Sequence, residues 1–166
     1  MIVVADSSPL HYLILIEQVE LLRQYFSEVL IPKEVIAELN APATPLVVSQ
    51  WLAKAPPWLT AVSVSAEEIG RVSASLDPGE RAAIALAETA RADLLLIDDR
   101  AGREEARRRG LRFTGLLGIL RRAADHGLID VLTSWPGLTR RTSTTRLSSR
   151  ASSENGWRID VMHVRS

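Results

Sequence analysis

Five acids are placed where they could do chemistry together: Asp6, Glu38, Glu80 and the adjacent pair Asp98 and Asp99. Asp6 directly follows the apolar run Ile2-Val3-Val4-Ala5, and Asp98 and Asp99 directly follow Leu94-Leu95-Leu96-Ile97. Carboxylate oxygens suit hard cations such as Mg²⁺ or Mn²⁺, which retain several waters of their own. Ions held in this way activate water and stabilise the charge that develops in an in-line displacement at phosphorus. Asp6, Glu80, Asp98 and Asp99 are the expected metal ligands, with Glu38 joining them as a catalytic acid. Each also has a simpler reading. Asp6 could cap a helix or close a turn. Asp98 and Asp99 could form a turn, their mutual repulsion relieved by Arg100, Arg103 or a cation. Asp77-Pro78-Gly79-Glu80 has the form of a capping box, and Glu38, one turn beyond Glu34, could be solvated surface. The combination is what points to a site: separate segments each offer an acid near a point where a strand should end.

The elements needed to bring these acids together are legible in the pattern. Strands are expected at residues 2–5, 29–31, 59–64, 94–97 and 111–114, from short apolar, β-branched or alternating runs. Helices are expected at 9–17 and 18–25, with Ser8-Pro9 as a start signal, and from Pro32 to about Asn40. Further helices are expected over 66–75, from Asp77 through Ala90, over 102–109 and over 116–126, the last ended by Gly127. Ala41 to Pro57 holds four prolines and is expected to be a loop with at most one short helix at 47–53. Strands alternating with helices imply an α/β fold, a doubly wound and mainly parallel five-stranded sheet with helices on both faces. Ligands of such sheets bind outside the carboxyl ends of the strands, where Asp6, Asp98 and Asp99 fall.

Bulk properties narrow the classes. A length of 166 residues suits one domain, and 46% hydrophobic with 24% charged residues is the balance of a soluble globular protein with a real core. The chain has no cysteine, which excludes disulfide scaffolds, thiolate metal sites and thiol catalysis, and fits a cytoplasmic setting. Met1–Asp6 lacks a basic region and does not read as a signal peptide, and Leu10–Ile16 is too short to span a bilayer. From residue 133 onward six arginines face two acids, so with a total of zero the first 132 residues carry a net charge of −4. An acidic body is a poor generic nucleic-acid binder, but it is what carboxylates awaiting a cation leave behind. Residues 133–166 are dominated by Ser, Thr and Arg without either structural period, and are expected to form a poorly ordered tail distinct from a domain over 1–132.

Taken in order, these motifs resemble the PIN-domain family, in particular the VapC-like toxins of toxin–antitoxin pairs. The resemblance rests on Val3-Val4-Ala5-Asp6-Ser7-Ser8-Pro9-Leu10, on Ile31-Pro32-Lys33-Glu34-Val35-Ile36-Ala37-Glu38-Leu39, on Leu76-Asp77-Pro78-Gly79-Glu80-Arg81 through Ala87, and on Leu95-Leu96-Ile97-Asp98-Asp99-Arg100-Ala101-Gly102-Arg103. Thr114-Gly115-Leu116-Leu117-Gly118-Ile119-Leu120 continues it, and the likeness spans about residues 2 to 131. It implies Mg²⁺ or Mn²⁺, cleavage of single-stranded RNA, a homodimer and an antitoxin protein as partner. By position Asp6, Glu38 and Glu80 take the roles of the first three acids, and Asp98 and Asp99 are equal candidates for the fourth. Relatives often carry Thr or Ser two residues before the fourth acid, a place that before Asp99 is Ile97, and often Asp as the third acid, where this chain has Glu80. Ser7 is a candidate for orienting a ligand or water beside Asp6. Relatives also continue past Gly127-Leu128-Ile129 with patterned sequence, whereas here the remainder resembles an out-of-frame reading; a frameshifted end is the expectation.

Other features carry less. Arg103, Arg107, Arg108 and Arg109 read as a solvated helix face partnered by Glu104 and Glu105, with Arg100 and Arg103 set apart by their closeness to the acids. Trp51 and Trp58 could stack on bases but read first as satellite core. His11, His126 and His163 share no ligand spacing, and neither GxGxxG nor GxxxxGK[ST] occurs. Two rival classes remain: a non-cutting module that binds an antitoxin or RNA, and a receiver-like signalling domain. The second needs paired acids after the first strand, an aspartate after the third and a lysine after the fifth, and this chain supplies none of them.

Overall fold

A computed structural model describes residues 1–129 of the protein. The Ser/Thr/Arg-rich segment 133–166, with its expected disorder and frameshift, the domain boundary at 132, and His163 all lie outside the described residues. The elements follow in the order β1 (Ile2–Ala5), α1 (Ser7–Leu15), α2 (Glu20–Tyr25), β2 (Glu28–Pro32), α3 (Lys33–Leu39), α4 (Leu46–Leu52) and β3 (Leu59–Val62). Then come α5 (Ala66–Gly70), α6 (Pro78–Thr89), β4 (Leu94–Leu96), α7 (Arg100–Arg108), β5 (Phe113–Thr114) and α8 (Leu116–Asp125). The five strands form one sheet in the order β3-β2-β1-β4-β5, with every neighbouring pair parallel.

The strand pleat sorts the core into two layers. Val3, Ala5, Val29, Ile31, Leu94 and Leu96 face one side, where Leu10 and Leu13 of α1, Leu22 of α2, Val35 of α3, Val48 of α4 and Ile119 of α8 cover them. Val4, Leu30, Leu95 and Ile97 face the other, against the alanine-rich stripe of α6 and Ala106 of α7. Both faces of the sheet are therefore dry, which is why the central strands carry continuous apolar runs and not alternation. Val4 sits opposite Leu30 on one neighbour and Leu95 on the other, so β1 is the middle of the sheet. The chain steps outward from β1 to β2 to β3, crosses back through α5 and α6, and resumes at β4 on the other side of β1. The carboxyl ends of β1 and β4 thus meet where the winding direction reverses, the place where open α/β sheets form their binding crevice.

Several local expectations shift. α1 starts at Ser7, with Pro9 as its third residue and not its first; a missing N–H is harmless anywhere in that first turn. α5 stops at Gly70, and Val72 and Leu76 enter the core from non-helical chain. β3 does not alternate: Thr60 and Ala61 are both exposed, as fits an edge strand. α7 begins at Arg100, two residues early, because Asp99 caps it. Among the described residues no helix is long and apolar enough to cross a membrane.

Leu96 is fully buried in β4, the strand that delivers Asp98 and Asp99. Leu96→Ala is expected to cost about 2–5 kcal/mol of stability through the lost transfer energy and the cavity left behind. Urea unfolding followed by circular dichroism measures it, and a midpoint equal to the wild type would contradict the layered core described above.

Candidate active site

Asp6 stands between β1 and α1. Its N–H extends the sheet by donating to the Leu96 carbonyl at 2.9 Å, so it is locked to the neighbouring β4. It occupies the N-cap position of α1, where the Ser7 and Ser8 N–H groups bear on its carboxylate without forming a well-aligned cap. The residue is 1% exposed, and its buried Oδ1 has no hydrogen-bond partner. The capping reading therefore accounts for its place but not for its carboxylate. Burial, followed by the charges of Glu38 and Asp98, pushes its pKa up to about 6 against the partial relief of the Ser7 and Ser8 N–H groups.

Glu38 and Glu80 meet Asp6 from α3 and α6. Glu38 is half-buried, not solvated surface: its Oε1 accepts the Gly79 N–H at 2.8 Å and pins α3 to the first turn of α6. A Cβ at position 79 would meet that carboxylate, so a side chain there would have to push Glu38 away from the Gly79 N–H. Glu80 Oε2 accepts the Asp77 N–H at 3.2 Å, the reciprocal half of the expected capping box. Capping does not exhaust its role. Burial first, then the charges of Asp99, Asp6 and Asp77, push the Glu80 pKa up to about 7.

The adjacent pair divides its tasks. Asp99 is exposed and caps α7, its Oδ1 accepting from Ala101 N–H at 2.6 Å and Gly102 N–H at 3.0 Å. Those bonds, led by Gly102, hold its pKa below the usual carboxylate range. Asp98 is half-buried and turns toward α8. Its Oδ1 pairs with Arg103 at 2.8 Å, and its Oδ2 lies 3.2 Å from the Leu116 N–H that opens α8. Arg103 also donates from Nε to the Ile97 carbonyl at 2.9 Å, which fixes the guanidinium on the strand end. A side chain at Gly115 would strike both Arg103 and Asp98. Its backbone is extended, so glycine is needed there for room and not for an unusual dihedral.

The five acids therefore share one edge of the sheet, with Asp6 sensing Glu38 and Asp98 and Glu80 sensing Asp99 and Asp6. Asp6 and Asp99 occupy the N-cap positions of α1 and α7 and Glu80 the first turn of α6, while Glu38, from the last turn of α3, and Asp98 reach the first turns of α6 and α8 with their side chains. The positive ends of those helices offset part of the crowded negative charge. Among the described residues no three carboxylates enclose an ion as the side chains stand. The donor set still fits a hard divalent cation. It consists of oxygens alone, one of them buried without a partner, and Mg²⁺ needs only one or two carboxylates beside its waters.

Beyond the acids, Ser7 and Ser8 line a cleft of about 170 Å³ with His11, Tyr12, Glu38 and Leu39. The sequence reading assigned nothing to His11 and did not single out Tyr12; their position one helical turn after Asp6 was the available signal. Of the arginines, Arg108 and Arg109 pair with Glu105, Arg109 also with Glu88, and Arg107 lies over the Phe113 ring at 5.4 Å. Glu105, not Glu104, is thus their partner. Arg100 is exposed and makes no ion pair among the described residues. Trp51 and Trp58 contact each other at 6.1 Å and pack against the core, as satellite core should.

The fold agrees with the family comparison. The chain belongs to the PIN-domain family: a family model described as a PIN domain matches residues 2–149. The matched span runs past residue 132. PIN domains are nucleases as a class. No curated protein matches the chain.

Two outcomes follow from this geometry. Asp6 keeps its proton to higher pH in the folded state than in the unfolded chain, so the native state binds more protons and stability falls as pH rises between the two pKa values. In EDTA, the wild type should lose thermal stability relative to Asp6→Asn between about pH 4 and pH 7, and Mn²⁺ should reverse the loss at the upper end. Parallel pH profiles for both proteins would refute the buried charge. Separately, Gly115→Ala should displace the Arg103–Asp98 pair and weaken Mn²⁺ binding in calorimetry while leaving circular dichroism unchanged.

Proposed function

We propose that the protein is a metal-dependent endoribonuclease that cuts single-stranded RNA, and that it serves in the cytoplasm as the toxin of a toxin–antitoxin pair. The observation that carries the nuclease reading is Asp6, a buried carboxylate with an unpartnered oxygen at the reversal point of the sheet, ringed by other acids. Asp6, Glu80, Asp98 and Asp99 are the side chains proposed to hold Mg²⁺ or Mn²⁺. When bound, the ion supplies a lowered water pKa and stabilisation of negative charge on the phosphate oxygens. Glu38 fixes the approach of α3 to α6 and keeps the acid edge assembled. Arg103 neutralises Asp98 and, with the exposed Arg100, is the nearest cationic surface for a phosphate.

The toxin role, the antitoxin partner and the homodimer rest on the VapC-like motifs. Leu46, Val47 and Leu117 on α4 and α8 are among the large apolar side chains left exposed, and offer surface for such protein contacts. A proposed domain over 1–132 followed by a separate tail keeps these helices inside the nuclease body. The second reading, a module that binds an antitoxin or RNA without cutting, draws on one feature: Arg103 already occupies Asp98.

Asp6→Asn should abolish metal-dependent cleavage of a 5′-labelled single-stranded RNA while the variant stays folded, with EDTA giving the same loss in the wild type. Cleavage by Asp6→Asn in a preparation free of contaminating nuclease would sink the nuclease reading. Saturable Mn²⁺ binding by a wild type that cuts no RNA would select the non-cutting module.

A further inference from the structure

The cleft beside the acids has a composition that the cutting chemistry does not use. It runs between α1 and α3 and is lined by Ser7, Ser8, His11, Tyr12, Glu38 and Leu39. Two of these residues tie it to the site: Ser7 follows Asp6 directly, and Glu38 is one of the five acids. Its volume of about 170 Å³ lies below the roughly 300–1,000 Å³ of pockets that hold drug-sized molecules. It has room for one planar ring system and not for a whole nucleotide.

The lining also selects the kind of ring. No lysine or arginine contributes to the cleft, and Glu38 repels phosphate, so the lining disfavours an anionic occupant. Leu39 offers an apolar wall, while the Ser7 and Ser8 hydroxyls can each donate or accept a hydrogen bond. The His11 and Tyr12 rings stand 5.3 Å apart at 56°, forming an aromatic wall. Tyr12 is 52% exposed, and among the described residues it is the one exposed Phe, Trp or Tyr. A half-exposed ring that lines a cleft beside the acids offers a face on which a base can stack.

We infer that this cleft takes one unpaired base of the RNA, stacked on Tyr12, while the adjoining phosphate lies at the acids. The inference rests on the nuclease reading. It supplies a reason for that reading's single-strand preference: a paired base is already stacked inside its duplex and cannot enter. Hydroxyls that both donate and accept make the subsite tolerant of base identity.

The test uses the full chain, a mixed-sequence fluorescent RNA in Ca²⁺ buffer with intact RNA checked on a gel, and an RNA of the same length lacking bases. Tyr12→Ala should raise Kd for the normal RNA by about fivefold to a hundredfold, and Tyr12→Phe, which keeps the ring, should stay within about twofold. The RNA without bases should bind wild type and Tyr12→Ala alike. A 4-thiouridine RNA should crosslink to the peptide carrying Tyr12. Because Tyr12 is exposed, thermal melts of both variants should match the wild type. Equal Kd for wild type and Tyr12→Ala overturns the inference. So does a shift in sedimentation without a change in RNA binding, which would assign the ring to a protein interface. Unchanged Mn²⁺-dependent cutting by Tyr12→Ala removes this subsite and leaves the nuclease standing. RNA that binds through Tyr12 but is never cut removes the nuclease and leaves the subsite.

Discussion

The structure is organised around a negative charge kept out of water. Asp6 cannot move away from its neighbours, because its own N–H is the last rung between β1 and β4. Its carboxylate is buried, one oxygen has no partner, and two further acids bear on it. A group in that condition either keeps its proton or acquires a cation. The fold makes the condition more bearable by bringing the first turns of α1, α6, α7 and α8 to the acids. In a parallel sheet the strands end and the helices begin on the same edge, so crowding acids there also crowds the positive ends of helices. The same topology that gathers the repulsion supplies part of its relief.

The remaining relief is unevenly shared, and this divides the acids. Asp99 is satisfied by two backbone N–H groups and titrates low. Asp98 has Arg103 and the opening N–H of α8. Glu80 and Asp6 have the least compensation and hold protons nearest to neutrality. The acids with the poorest internal compensation are those with the most to gain from a divalent ion. Glycines make the tighter partnerships possible. Gly79 admits the Glu38 carboxylate to the helix start, and Gly115 admits α8 to the Arg103–Asp98 pair.

Much of this was legible in the sequence because the signals are local. The run Leu94–Leu96 buried on both faces, the acid placed one residue past β1, and Asp77-Pro78-Gly79-Glu80 opening α6 each follow from composition over a few residues. What escaped was set by distance along the chain. The start of α1 moved to Ser7 because Asp6 is anchored to β4, some ninety positions later. Glu38 looked like a surface residue because its partner, Gly79, is 41 positions away. Gly115 had no local reason to be glycine: its backbone is ordinary, and only the carboxylate and guanidinium behind it forbid a side chain. Glu80 showed the opposite limit. Its capping pattern was correct, and it concealed a second environment that burial and Asp99 create.

An edge lined by five acids, one of them with a buried unpartnered oxygen, repels phosphates, and the region up to residue 132 carries net negative charge. Broad electrostatic attraction therefore cannot be what holds a nucleic acid on this body. Short-range contacts gain weight on such a body: hydroxyls, backbone groups and aromatic faces, beside the local charge of Arg100 and Arg103. The side chains next to the acids have that character. Ser7 and Ser8 come from the first turn of the helix that Asp6 begins, and His11 and Tyr12 from the turn above. The buried charge and the uncharged cleft lining are then two consequences of one placement, since α1 starts at the buried acid and carries Ser7, Ser8, His11 and Tyr12 along the cleft.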